Sequence, residues 1–273
     1  MLAHMRTVYG VIGYPIEHSL SPVMQNAAFE ELGMDCVYEA FEVKGKDLAN
    51  AVLGAKSLGF GGLNVTIPHK EAVIKVIKPD PRAAEIGAAN TVDFGKMMAF
   101  NTDAPGAVAA LKDSGVAIRK KNVLVIGAGG SARAVVYGLL REGATVTIAN
   151  RTPGKAADLA AYMRAVGDVF GTSLDDLGEK VRVAEIVVNT TPVGMGWEDR
   201  PLVTRDMLDR TQVVFDLVYR PLETPLLKEA KAAGAKTVDG IAMLARQGAL
   251  SFELWTGVKP PLDVMERSAR DAL

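Results

Sequence analysis

The stretch 122-NVLVIGAGGSARAVVYGLLREGATVTIANRT-152 decides the fold. Its first part, NVLVIGAGG (122–130), is an unbroken apolar run that ends in glycines, the pattern of a strand buried on both faces. SARAVVYGLLREGA follows at helical periodicity, and TVTIANRT (145–152) reads as a second strand. Strand, helix and strand in succession predict a parallel pair with its crossover helix. Within the unit, 127-GAGGSA-132 fits the G-x-G-x-x-G/A spacing through Gly127, Gly129 and Ala132. The spacing alone also fits an ordinary glycine-rich turn; the strand before it and the helix after it favour a dinucleotide site. Glycines let the backbone approach a pyrophosphate, and a helix N-terminus supplies amide donors and partial positive charge. Gly127, Ala128, Gly129, Gly130, Ser131 and Ala132 are therefore the candidate phosphate cradle.

The end of the second strand selects the coenzyme. NAD sites place Asp or Glu there to hold the ribose 2′-hydroxyl. Here the residues are Ala149, Asn150, Arg151 and Thr152, with no carboxylate. A guanidinium with hydroxyl and amide neighbours suits a 2′-phosphate, which an acid would repel. Asn150, Arg151 and Thr152 predict NADP rather than NAD.

Working outward, the same alternation recurs. TVYGVIG (7–13) is a buried strand, and Ser21 before Pro22 reads as an N-cap for a helix running to Gly33. CVYEAFEV (36–43) is strand-like, KDLANAVLGAKSLG (46–59) helical, KEAVIKVI a helix, RAAEIGAAN a short helical segment and TVDFGKMMAFNTD two short strands. DAPGAVAALKDSG (103–115) is a helix fit to join two domains. Beyond the glycine unit, AEIVVNTTPVGMG (184–196) and VVFDLVYRP (213–221) are strand-plus-loop units, and GIAMLARQGALSFELWTG (240–257) is a last long helix. The class is α/β with mostly parallel sheet.

Composition narrows the function. The 273 residues carry 31 basic and 32 acidic side chains, a formal net charge of −1, and are 49% hydrophobic. That balance argues against a general nucleic-acid or membrane-surface binder. Cys36 is a single cysteine, so no disulfide is expected, and His4, His18 and His69 lack metal-ligand spacing. No metal is expected. No apolar run reaches the roughly 18 residues of a membrane span, and the opening MLAHMRTVYGVIG lacks a leader's apolar stretch. A cytoplasmic enzyme acting on a small molecule is the expectation.

A second motif, 64-NVTIPHK-70, carries candidate chemistry. Leu63, Val65 and Ile67 alternate with Asn64 and Thr66, then proline cuts the strand and Lys70 follows. Pro68 keeps Ile67 extended and favours a helix start just beyond it, which puts Lys70 in or near a first helical turn, a poor place for a cation. Polar groups in a strand of a two-faced sheet suggest that its carboxyl end opens into a cleft, where ligands of such sheets gather. Ser19 and Ser21, Asn90 and Thr91, and Asn101, Thr102 and Asp103 follow comparable elements. Capping and turn roles would explain each singly; a set of hydroxyls, amides, one lysine and one carboxylate suits a small polyhydroxylated acid.

Together the stretches GYPIEHSLSP (13–22), NVTIPHK (64–70), IGAANT (86–91), NTD (101–103), VIGAGGSARA (125–134), NRT (150–152), NTTPVGMG (189–196), DLVYRPLETPLL (216–227) and DGIAMLARQGALSFELWTG (239–257) resemble the shikimate dehydrogenase family, from about residue 8 to 257. The resemblance implies an N-terminal substrate-binding and catalytic domain of residues 1–104 and 240–273, to which the C-terminal helix returns. It implies a Rossmann-like NADP domain of residues 105–239, with the active site in the cleft between the two. It implies reversible NADPH-linked reduction of 3-dehydroshikimate to shikimate, in aromatic amino-acid biosynthesis, by a monomer or homodimer. By motif, Lys70 is the catalytic group, paired with Asp103. Ser19, Ser21 and Tyr219 would hold the substrate carboxylate, and Thr66, Asn90, Asp103 and Gln247 would bind ring hydroxyls or line that site. Leu217, Gly240 and Met243 lie near the nicotinamide. Ala99 and Ala89 stand where the family often has glycine and valine. Pro81 stands where an acid is sometimes assigned to NADP binding, so that role is not carried over. Two alternatives stand beside this reading: a broader quinate/shikimate dehydrogenase, and a non-catalytic NADP-sensing module.

Overall fold

A computed structural model describes residues 6–196 and 200–273. His4 and the first five of the opening residues read above for a leader lie outside the described residues. The chain divides into two compact units, Met1–Thr102 with Leu244–Ala272, and Asp103–Met243.

The first unit is built on β1 (Thr7–Gly13), β2 (Cys36–Glu42), β3 (Gly62–Val65), β4 (Thr91–Asp93) and β5 (Met98–Phe100), in the sheet order β2-β1-β3-β4-β5. β1 pairs in parallel with β2 and β3, while β4 and β5 continue the sheet antiparallel. Its helices are α1 (Ser21–Glu31), α2 (Leu48–Ser57) and α3 (Pro81–Ile86). Ile12, Val52, Leu63, Val65, Val73, Val92 and Ala99 form one of its buried apolar clusters. Each large aliphatic side chain fully withdrawn from water there contributes about 1.5–3 kcal/mol.

The second unit opens with α4 (Asp103–Asp113), β6 (Asn122–Ile126), α5 (Gly130–Arg141), β7 (Thr145–Asn150), α6 (Pro153–Met163), β8 (Val169–Ser173) and α7 (Leu177–Val183). It closes with β9 (Ile186–Asn189), β10 (Val213–Asp216), α8 (Pro225–Ala232) and β11 (Lys236–Val238). The sheet order is β11-β10-β9-β6-β7-β8, every pair parallel. This is the doubly wound order, and its direction reverses between β6 and β9. β6, β9 and β10 are buried nearly throughout, which is why they read as unbroken apolar runs. The stretch 153–183, to which the sequence reading assigned no element, holds α6, β8 and α7.

α9 (Gly240–Thr256) begins in the second unit and contributes Leu244 onward to the first, followed there by α10 (Leu262–Asp271). Trp255 on α9 donates its indole N–H to the Val92 carbonyl at 3.0 Å. Gly62 makes room for that ring: a Cβ there would collide with the indole nitrogen. No helix among the described residues is long and apolar enough to cross a membrane.

Three local expectations are corrected. Lys70 is not in a helix: residues 66–72 form turns, and only Val73–Lys75 makes a short 3₁₀ segment. The Lys70 carbonyl accepts the amide of Ala89 at 2.9 Å, so it is spent on a neighbouring segment instead of the next helical turn. Ser21 is not a cap but the first residue of α1; Leu20 occupies the cap position, and no side chain caps that end. Ile67 lies past the end of β3 and is 52% exposed, so it does not extend the strand's apolar face.

Candidate active site

The second unit brings the glycine loop and the β7 end together through the backbone. The Gly127 amide donates to the Ala149 carbonyl at 2.8 Å, tying the start of the loop to the strand that ends in Asn150. Gly127 has φ +117°, and a Cβ on it would collide with Thr190 Oγ1. Glycine is therefore required on both conformational and steric grounds. Thr190, the first residue after β9, donates its hydroxyl to the Ile126 carbonyl at 2.7 Å. The loop thus sits at the carboxyl ends of β6 and β9, where the sheet order reverses and ligands of such sheets bind.

Gly129 is the N-cap of α5, in extended conformation, with no side chain closing the helix end. Helix geometry turns the amides of Gly130, Ser131 and Ala132 out of that end. Ala132 is buried, Ala128, Gly130 and Ser131 half-buried, and Gly129 exposed. Asn150 is half-buried and folds its amide back onto the Thr152 carbonyl at 3.0 Å, while Arg151 and Thr152 are exposed. A glycine loop at the strand ends, a helix end without a side-chain cap and an exposed guanidinium fit the phosphates of NADP.

Leu217, Gly240 and Met243 are neighbours as well. A Cβ on Gly240 would lie 2.5 Å from the Leu217 carbonyl oxygen, so only glycine lets α9 start against that turn. Met243 is buried nearly one helical turn later. Tyr219 is half-buried just beyond Leu217, and Asp103 is buried at the first position of α4.

In the first unit, Asn90 and Gln247 meet directly although 157 positions apart: Asn90 Nδ2 donates to Gln247 Oε1 at 3.0 Å. Asn90 also donates to Thr102 Oγ1 at 2.8 Å and accepts the Thr102 amide at 2.7 Å. Ser251 of α9 lies within hydrogen-bond distance of Thr91 and Thr102, at 2.8 and 3.1 Å. Asn64 joins the same cluster. It is buried, and its Nδ2 donates to Ser251 Oγ at 3.0 Å and to the Asn90 carbonyl at 3.0 Å. Its Oδ1 accepts the Tyr38 hydroxyl at 2.7 Å. Burial raises the Tyr38 phenol well above its ordinary pKa, against a smaller opposing hydrogen bond from Ser21. Ser21 thereby reaches the cluster through Tyr38. Ser19 is half-buried, with Oγ accepting the Ser21 amide at 3.3 Å.

Lys70 and Thr66 are half-buried on one braced turn. The Thr66 amide donates to Ile12, the Ile67 carbonyl accepts from Tyr14, and His69 donates its amide to Thr66. His69 is buried, and its Nε2 lies 2.7 Å from the Val43 carbonyl, which makes Nε2 the protonated nitrogen. Sequence reading missed His69, Asn189, Thr190, Ser251, Asp216 and Thr224; each is a small polar residue or a lone histidine in a segment that reads as ordinary strand, turn or helix.

Comparisons with known proteins agree with this architecture. Residues 11–92 match the model of the shikimate dehydrogenase substrate binding domain, 109–225 that of shikimate / quinate 5-dehydrogenase, and 240–270 that of the shikimate 5'-dehydrogenase C-terminal domain. Shikimate dehydrogenase (NADP(+)) of Methanocella arvoryzae is 75% identical over 98% of this chain and 100% of its own. A crystal structure of a shikimate dehydrogenase in complex with NADP+ matches with TM-score 0.90 at 41% identity, over 97% of this chain and 95% of that one. The shikimate 5-dehydrogenase of Thermus thermophilus, in complex with NADP(H) and shikimate, matches with TM-score 0.88 at 39% identity, over 98% of this chain and 100% of that one. With three family models covering most of its length and a relative at 75% identity, this chain belongs to the shikimate dehydrogenase family.

Proposed function

We propose that this chain catalyses the reversible NADPH-linked reduction of 3-dehydroshikimate to shikimate, a cytoplasmic step of aromatic amino-acid biosynthesis. The observation that carries the reading is the strand end beside the glycine loop. It presents Asn150, exposed Arg151 and Thr152 where an NAD site would present a carboxylate.

Bound NADPH would supply the hydride. Gly127–Ala132 would hold the pyrophosphate, Asn150, Arg151 and Thr152 the adenosine 2′-phosphate, and Leu217, Gly240 and Met243 would flank the nicotinamide. Ser19, Ser21 and Tyr219 would hold the substrate carboxylate; Thr66, Asn90, Asp103 and Gln247 would take the ring hydroxyls. Lys70, as an ammonium, gives its proton to the oxygen of the ketone as the hydride reaches carbon, and the neutral amine takes it back in the reverse direction. Asp103 orients the ammonium. The turn that carries Lys70 supports this role, because backbone hydrogen bonds to Ile12, Tyr14 and Ala89 and the His69 side chain's bond to the Val43 carbonyl hold it in place. A fixed backbone lowers the entropy lost in reaching a reactive geometry.

The test is absorbance at 340 nm with shikimate and NADP+. A rise supports the reading; a rise with quinate equal to that with shikimate moves it to the broader specificity; no rise with either defeats it.

A further inference from the structure

Asp216, at the last position of β10, is fully buried, and three segments of the second unit converge on its carboxylate. Asn189 Nδ2, at the end of β9, donates to Oδ1 at 2.9 Å, and the Val218 amide donates to the same oxygen at 3.1 Å. The Thr224 hydroxyl, at the N-cap of α8, donates to Oδ2 at 2.6 Å. Asn189 passes the constraint on. Its Oδ1 accepts the amide and hydroxyl of Thr191 at 3.0 and 2.7 Å, and its Nδ2 also donates to the Val193 carbonyl at 3.1 Å. The Leu217 amide in turn donates to the Asn189 carbonyl at 3.0 Å.

We propose that Asp216 is a positioning residue for catalysis, fixing the Leu217–Tyr219 turn against the 189–193 turn so that the nicotinamide end of the coenzyme and the substrate carboxylate meet preset partners. The inference rests on the roles given above to Leu217 and Tyr219. A buried carboxylate is an expensive way to hold a fold, since desolvation opposes its charge and pushes this one up to about 6. Its advantage is geometric: two oxygens accept from three segments at once, which no apolar side chain of that size can do. The turn it fixes also meets the start of α9 at Gly240, so a shift in Leu217 is transmitted to the residues proposed to flank the nicotinamide.

The experiment compares the full-length wild type with D216A and D216N in steady-state kinetics with shikimate and NADP+, and measures binding of 2′,5′-ADP, a probe of the Arg151 end alone. D216A is expected to lose at least tenfold in kcat and to raise KM for shikimate severalfold, with 2′,5′-ADP bound within twofold of wild type. D216N keeps one acceptor oxygen for Asn189 and Val218 and is expected to recover part of kcat. Unchanged kcat and KM in D216A, or a parallel loss of 2′,5′-ADP binding and activity in both variants, overturns the positioning role. An inactive wild type would instead overturn the functional reading on which it rests, which separates the two failures.

Discussion

Around Asn90 and Gln247 in the first unit, every polar side chain of the cluster is buried and bonded to another; at the end of β7 in the second unit, Arg151 and Thr152 stand exposed and the backbone does the shaping. The first region holds its groups in one arrangement through long-range side-chain bonds, so its residues gain meaning only together. The second, proposed to take the phosphates, is built from local features: a glycine with positive φ, a helix end and one exposed cation. A polyhydroxylated ring needs several directional partners in fixed positions, whereas a phosphate is satisfied by amides and a guanidinium that can adapt. If the proposed roles hold, the contrast teaches that the two ligands are selected by different physics, one by a locked network and the other by charge and close approach.

The largest expected effect belongs to neither region but to Lys70, the group proposed to act on the bond. K70A should lower kcat by about a thousandfold, within the range for loss of a general acid–base group, while the Kd for NADP+ stays within twofold. Near-normal turnover would remove Lys70 from the chemistry.

The next effect tests whether a buried carboxylate holds the turns of the second unit. The folded-state pKa of Asp216 is raised by burial from 3.8 to about 6. A raised pKa means that the stability contributed by protonation is fully present below the unfolded value and is lost as pH rises through about 6. The wild type should therefore lose about 2 kcal/mol relative to D216N between pH 4 and pH 7, read from urea titrations. A difference between the two proteins that does not change with pH would contradict this.

The network of the first unit should show itself in S251A. Removing one hydroxyl from the Asn64–Thr91–Thr102 cluster should cost about 1–3 kcal/mol of stability and raise KM for shikimate without changing that for NADP+. A parallel rise in both constants would break the contrast, because it would mean that the network serves the coenzyme too.

The smallest effect falls on the exposed cation. R151A should weaken NADP+ by about tenfold and leave NAD+ unaffected, as expected for a charged hydrogen bond in contact with solvent. Equal weakening of both coenzymes would mean that Arg151 does not read the 2′-phosphate.

How much of this the sequence carried follows the same division. The glycine loop and the strand end at β7 were legible as parts of one strand–loop–helix–strand unit because the pattern lies within about thirty residues of chain and in backbone requirements that only glycine meets. The parallel sheet was legible because β6, β9 and β10 are buried on both faces. The Asn64 network was not legible because its partner Ser251 stands 187 positions away. The helix expected at Lys70 failed because the Ala89 amide, distant in sequence, claims the Lys70 carbonyl. Asp216 gave no sign because a strand ending in aspartate looks like any other; its meaning depends on Asn189, 27 positions earlier, and on Thr224.

The most direct test of the central claim is the ratio of kcat/KM for NADP+ to that for NAD+, measured on the wild type with saturating shikimate. A coenzyme site chosen by Arg151 in place of an acid should favour NADP+ by at least about tenfold. A ratio at or below one, with shikimate oxidised equally well by NAD+, would contradict it.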